Sequence, residues 1–226
     1  MTLVRSGVAQ GKRLLMDAAL RLMAHSRSLS SLGLRELARE AGLNPNTFYR
    51  HFQSVDELGM ALIRHIADQL RQPLRDLRRE AAQRAAEGGE GGPRLLGVDL
   101  GRGRLVCHET VALFFRFVEE NPEAFIVGMR ELHGASPLLR AELREVMEGF
   151  AQDMAEDIQN LQLVALDGEG VKRLSSLISR HLFQMSLDYL EQVDQRPRIC
   201  AEAEEMIVTL FAGASVLRSL EQTPRA

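Results

Sequence analysis

Between Ala41 and Val55 the chain carries no acidic residue, and inside that window Asn46-Thr47-Phe48-Tyr49-Arg50-His51 brings together the side-chain types that hydrogen-bond a nucleic-acid duplex. Arg and Asn have paired groups that match guanine and adenine edges in a major groove. Thr, Tyr and His bond phosphate oxygens and so fix register. Phe48 and Phe52, four residues apart, fall on one face of a helix. Burying them turns Asn46 and Arg50 outward, with Thr47 and His51 on one flank and Tyr49 on the other. The chemistry is recognition rather than bond making. Arg35 on the preceding segment and Asn44 at the turn complete the candidate contact set.

Such a surface needs a support, and the flanking residues supply one. Leu34, Leu37 and Ala38 form the inward face of a short helix over about 34–41. Gly42 then stands where a left-handed C-cap is wanted. Asn44-Pro45 opens the next helix, because Asn caps well and Pro suits the first helical position. A preceding helix carries Leu15, Ala18, Ala19, Leu22 and Met23 at three- and four-residue steps. Three short helices around one glycine turn make a tri-helical helix-turn-helix head.

Charge agrees with this division. Up to Phe52 there are eight Lys or Arg against three acids, whereas the remainder carries 20 basic and 28 acidic residues. A basic head on an acidic body implies that the head alone meets a polyanion.

The rest of the chain is helical in pattern. Ser54-Val-Asp-Glu57 reads as a capping box for a long helix with Leu58, Leu62, Ile66 and Leu70, which Pro73 is expected to kink or break. A Gly-rich insertion at 88–103 reads as a loop, with helix resuming near Arg104. Asn121-Pro122, Ser136-Pro137 and Asp167-Gly168 mark further helix boundaries, and Arg196-Pro197 separates the last two helices. With 45% hydrophobic residues, 5% aromatics and no Trp, the core must be mostly Leu, Ala, Val, Met and Phe, a mix that favours helix. The fold class is therefore all-α. The expected domains are a DNA-binding head at 1–53 and a helical body for ligand binding and dimerisation at 54–226.

Residues Leu34-Arg35-Glu36-Leu37-Ala38, Ala41-Gly42-Leu43 and Thr47-Phe48-Tyr49-Arg50-His51-Phe52, followed by Asp56-Glu57-Leu58, resemble the signature of TetR family transcriptional regulators. The resemblance implies a dimeric, ligand-responsive regulator, acting as a repressor on a palindromic double-stranded DNA operator, and a cytoplasmic location is expected from the lack of a recognised signal peptide or membrane-length apolar run. In that family the last two helices pair across the dimer, and here Ala212-Gly213-Ala214-Ser215 would permit close helix approach. One departure is Val55, where many members carry a lysine that contacts phosphate. Farther along, Phe117-Val118-Glu119-Glu120-Asn121-Pro122-Glu123-Ala124-Phe125, Arg130-Glu131 and Leu138-Leu139-Arg140 resemble the FabR- and DesT-like repressors of unsaturated fatty acid synthesis. That branch implies a fatty acyl-CoA effector and control of lipid genes. The 88–103 insertion departs from the spacing expected of the branch. The alternative is a regulator of the same family that senses a drug or aromatic metabolite.

Inward Phe and Met residues suit a pocket for a long apolar molecule. The candidate lining is Leu62, Ile66, Phe114, Phe117, Phe125, Met129, Met147, Phe150 and Met185. Arg102, Arg104, Arg116, Arg130 and Arg140 read as surface charges, and His108 and His133 as surface or packing residues. Metal-ligand clusters, a nucleophile elbow, a phosphate-binding glycine loop and paired catalytic carboxylates do not occur at working spacings. The chain is expected to be no enzyme and to need no cofactor. Cys107 and Cys200 read as buried thiols. No signal peptide is recognised, and no apolar run approaches the roughly 20 residues that span a bilayer.

Overall fold

The computed structural model describes residues 2–24, 28–87, 94–95 and 98–222. Among them run α1 (Thr2–Ala24), α2 (Leu34–Glu40), α3 (Val55–Glu87), α4 (Leu100–Glu120), α5 (Pro122–Leu132), α6 (Pro137–Asn160), α7 (Gly168–Glu191) and α8 (Arg196–Gln222). Short 3-10 turns lie at Leu29–Ser31, Pro45–Arg50 and Val193–Gln195. Part of the Gly-rich insertion lies outside the described residues. What is described there is an antiparallel pairing of β1 (Arg94–Leu95) with β2 (Val98–Asp99), Arg94 opposite Asp99. Helix α4 starts at Leu100, four residues before the expected Arg104, and the class remains all-α.

The chain forms two compact units. The first comprises Met1–Asp68 with Asn121–Val146, and the second Gln69–Glu120 with Met147–Ala226. Helices α3 and α6 each contribute to both.

In the first unit α1 packs on α2 and α5. Its apolar stripe is the expected one, with Leu15, Ala18, Ala19 and Met23 buried and Leu22 half-buried. They join Leu29, Leu37, Phe48, Phe52, Leu58, Leu62, Val127 and Leu139 in one core. Two polar residues of α5 tie the loop after α1. Arg130 Nη1 donates to the carbonyl of Met23 at 2.7 Å, and the buried Glu131 carboxylate accepts from the Leu29 amide at 2.9 Å. Helix termini leave orphan amides and carbonyls, so these contacts satisfy groups that burial would otherwise penalise. Ser136 begins α6 by accepting from the Leu139 amide at 3.3 Å, and its hydroxyl donates to Asp56 at 3.0 Å.

Helix α3 corrects one expectation. It continues through Pro73 to Glu87 rather than breaking there. Proline removes one intrahelical hydrogen bond, but Pro73 lies on the exposed face, and anchors flank it. Leu70 and Leu74 are buried, and Arg71 and Arg75 are ion-paired to α6.

The second unit packs α4, α7 and α8 together. Phe114 meets Phe115 and Phe183 edge to face at 5.3 and 5.9 Å, and Phe150 meets Phe183 at 5.6 Å. Phe115 stacks on Tyr189 at 4.6 Å. Asp167 caps α7 by accepting from the Gly170 amide at 2.7 Å. Along α3 and α6 of this unit, Arg71 pairs with Asp153, Arg75 with Asp153, Glu156 and Asp157, and Arg78 with Asp157.

Candidate functional site

The candidate recognition surface is built by local hydrogen bonds. At the end of α2 the Leu43 amide donates to the Ala38 carbonyl at 2.8 Å and the Gly42 amide to the Arg39 carbonyl at 3.0 Å. That is the Schellman pattern, and it requires the left-handed conformation that Gly42 adopts at φ +67°. Asn44 then caps the next turn, its Oδ1 accepting from the Asn46 amide at 2.9 Å, with Pro45 at the first position. Ser54 ends the segment. Its hydroxyl accepts from the Glu57 amide at 3.1 Å, and the Glu57 carboxylate accepts from the Gln53 amide at 2.6 Å. This is a capping box displaced by one residue on its return arm.

Between these caps, Pro45–Arg50 is a 3-10 helix rather than the α-helix expected. Caps on both sides confine it to six residues, too few to establish a run of i→i+4 bonds. The tighter winding leaves the division of faces intact. Phe48 is fully buried and Phe52 is 2% exposed, whereas Tyr49 is 64% exposed. Arg35, Asn44, Asn46 and Arg50 are exposed too, and Thr47 is half-buried. Phe48 meets the Tyr49 ring edge to face at 5.6 Å and the Phe52 ring at 5.9 Å. His51 is half-buried, with its ring against α1: a Cβ placed on Gly11 would lie 2.6 Å from His51 Nε2. Six of the seven candidate residues thus belong to one loop-helix segment, with Arg35 on α2. Val55, at the start of α3, packs against the head core.

The body carries a cavity of about 100 Å³ in the second unit. Its walls come from Arg78 of α3, Val106, Cys107 and Thr110 of α4, Met154 and Ile158 of α6, Leu182 of α7, and Phe211, Ala212 and Ser215 of α8. None of the nine candidate ligand residues lines it. Leu62 belongs to the head core, and Ile66 packs against that core. Phe125 and Met129 are buried in α5, within the first unit. In the second unit Phe114 and Phe150 both meet Phe183, Met147 and Met185 are buried, and Phe117 is half-buried. Large side chains at helical spacing mark filled volume. A cavity forms where residues are small, and Thr110, Ala212 and Ser215 carried that signal.

Arg78 is 4% exposed. Burial pulls its guanidinium below the ordinary arginine value, against the opposing pull of Asp157. Cys107 and Cys200 are half-buried rather than buried as expected. The Cys107 thiol is pushed up to about 12, chiefly by desolvation and then by Glu204, so it is protonated and unreactive at neutral pH. Among the five arginines read as surface charges, Arg130 and Arg140 donate to main-chain carbonyls, as does Arg102, to that of Ala82 at 3.1 Å. His108 meets Glu204 at 2.9 Å. Among the described residues there is no cluster of three or more potential metal ligands and no helix long and apolar enough to cross a membrane.

Comparison with known proteins gives the arrangement its context. Residues 15–62 match the family described as "Bacterial regulatory proteins, tetR family". The chain is similar in fold to the fatty acid degradation regulator FadR of Bacillus halodurans, with a TM-score of 0.64 at 15% identity over 90% of this chain and 95% of that one. A TetR-family transcriptional regulator from Rhodococcus sp. gives 0.63 at 18% identity over 90% and 99%. FadR of Bacillus subtilis, solved with stearoyl-CoA, gives 0.60 at 16% identity over 89% and 98%. Each of these neighbours is described as a regulator. The family match thus covers the helix-turn-helix segment alone, and the fold shared with these regulators covers nine-tenths of the chain.

Proposed function

We propose that the chain acts as a homodimeric repressor on a palindromic operator, and that an apolar effector of the acyl-CoA kind bound in its body changes its affinity for that DNA. Residues 1–53 are the reading head and 54–226 the sensing and dimerising body. Asn46, Tyr49 and Arg50 read base edges or phosphates, aided by Thr47 and His51. Arg35 and Asn44 contact the backbone. The observation that carries this is the contrast within one six-residue turn: Phe48 wholly buried, Tyr49 64% exposed. An anchored apolar side with an acid-free polar side is what a groove-reading element requires. The absence of a lysine at Val55 removes one phosphate contact, so exposed Arg35 and Arg50 carry more of the backbone attraction.

Two further observations support the dimer. Helix α8 exposes Leu217 and Leu220 at 64% and 67%, and α7 exposes Leu177 at 53%. A Cβ built on Gly213 meets nothing within 4 Å, so that face of α8 is open to close approach. Two heads on a two-fold axis read half-sites about one DNA turn apart. The acyl-CoA reading is supported by the stearoyl-CoA found with the Bacillus subtilis neighbour. Any such ligand must bind the DNA-competent and DNA-incompetent states unequally.

Selection from a random duplex library tests the head. The expected product is a palindrome for the wild-type protein and no enrichment for Arg50→Ala. A wild-type protein that enriches no sequence sinks the proposal. Light scattering checks the dimer, and a monomer at micromolar concentration refutes it. Anisotropy titrations of the selected DNA with acyl-CoAs of graded chain length test the effector; indifference to all of them removes that part.

A further inference from the structure

The polar atoms around the body cavity are almost all accounted for. The Thr110 hydroxyl donates to the Val106 carbonyl at 2.6 Å and the Ser215 hydroxyl to the Phe211 carbonyl at 2.8 Å, both within their own helices. Arg78 differs. Its Nε and Nη2 donate to the same oxygen of Asp157, at 2.8 and 2.5 Å, and Nη1 has no hydrogen bond among the described residues. Arg78, 4% exposed, therefore lines an apolar cavity and keeps one guanidinium nitrogen without an acceptor among the described residues. The surrounding charges already balance, with Arg71, Arg75 and Arg78 facing Asp153, Glu156 and Asp157.

We propose that this cavity binds a short acyl group presented as a neutral ester or thioester, its carbonyl oxygen accepting a hydrogen bond from Arg78 Nη1. This rests on the reading of the chain as an effector-responsive regulator. A carbonyl satisfies the unmatched donor and adds no charge. A free carboxylate brings an uncompensated negative charge into an apolar site whose ions are already paired, and pays its desolvation. Arg104, exposed at the cavity edge, offers that carboxylate a partner only in water, where a pair adds little. Size sets the chain length. An apolar cavity of roughly 150 Å³ admits benzene, and this one is about 100 Å³. A few carbons fit without repacking the helices, whereas a long chain does not.

Calorimetric titration of the full chain with S-hexanoyl-N-acetylcysteamine and with hexanoate tests the assignment. The thioester is expected to bind at least about tenfold more tightly than the carboxylate, the direction that charge burial dictates. Ala212→Leu fills the cavity from α8 without touching the ion pairs and should abolish binding while circular dichroism shows the helices retained. Arg78→Lys keeps a cation for Asp157 but gives up the planar fork, and should lower thioester affinity toward that of hexanoate. If Arg78→Lys does not fold, Ala212→Leu still decides the site. Three results overturn the proposal: hexanoate binding as tightly as the thioester, thioester binding unchanged in Ala212→Leu, or no binding of the thioester. A dodecanoyl thioester binding more tightly than the hexanoyl one overturns the short-chain assignment. Selective DNA binding is measured on the same preparation. A protein that selects DNA but ignores the thioester overturns this site alone, and one that binds the thioester without DNA selectivity overturns the regulator reading alone.

Discussion

Adjacent residues Phe48 and Tyr49 should fail in opposite ways when truncated. Phe48 is fully buried in the core that also holds Leu15, Leu37 and Leu58. Phe48→Ala should cost about 3–5 kcal/mol through lost transfer energy and a cavity. Its ring contacts with Tyr49 and Phe52 account for about 0.5–1.5 kcal/mol each of that total. Against the roughly 5–15 kcal/mol of a typical domain, this melts the head or leaves it marginal. Tyr49 is 64% exposed, and among the described residues its one ring contact is the edge it shares with Phe48. Tyr49→Ala should therefore cost about 1 kcal/mol or less. Yet it should lose specific DNA binding, because the removed surface is the reading surface. Urea denaturation followed by circular dichroism measures the first quantity, and fluorescence anisotropy on selected DNA the second. If Tyr49→Ala unfolds as readily as Phe48→Ala, the assignment of faces is wrong. If it binds DNA like the wild type, the surface is misplaced.

Other perturbations follow from single contacts. Arg50→Ala should flatten the plot of log affinity against log salt by about 0.9 if Arg50 meets one phosphate; an unchanged slope places it on a base edge or off the DNA. Gly42→Ala meets no atom within 4 Å but sits at φ +67°, so its cost is backbone strain alone, about 1–2 kcal/mol by thermal unfolding. Gly11→Ala drives a Cβ to 2.6 Å from His51 Nε2. The ring must swing away, and the helix gain of roughly 0.5–1 kcal/mol offsets the disturbance, so stability should hold while DNA affinity falls. Unchanged affinity would remove His51 from the contact set. Cys107 has its folded pKa raised to about 12 from 9.0. Its contribution is fully present below pH 9 and is lost as pH rises toward 12, because only the unfolded chain releases the proton there. Thiol labelling at pH 8 should be slow at Cys107, and fast labelling would contradict its raised pKa.

The head was legible in sequence because its decisive interactions are local. The Gly42 turn, the Asn44 cap and the Ser54–Glu57 box each join residues within five positions of one another. Each has a residue type that carries the geometry. The Phe48 and Phe52 pair fixed the faces even though the winding differs from the α-helix assumed. Pro73 shows where local rules stop. Its ring disfavours a helix by itself, but buried leucines and ion pairs on both sides keep α3 continuous.

The body resists the same reading for a physical reason. Its ion pairs join positions about 80 residues apart, Arg71 with Asp153 and Arg78 with Asp157. The spacing of Arg71, Arg75 and Arg78 on one stripe, and of Asp153 and Asp157 on another, is visible beforehand. What it cannot show is that the stripes face each other. Nor does the pairing follow from stability, because buried pairs seldom outweigh their desolvation and an apolar replacement is often as stable. What such pairs do supply is register, since a slide of one helix along the other strands several charges at once. Leucine packing alone penalises the same slide far less. Arg78 then has two roles that no local pattern could separate: it pairs with Asp157 between α3 and α6, and it lines a cavity that small residues on α4 and α8 also border. A site of this kind exists only once the helices are in place, so it had to be found in the fold.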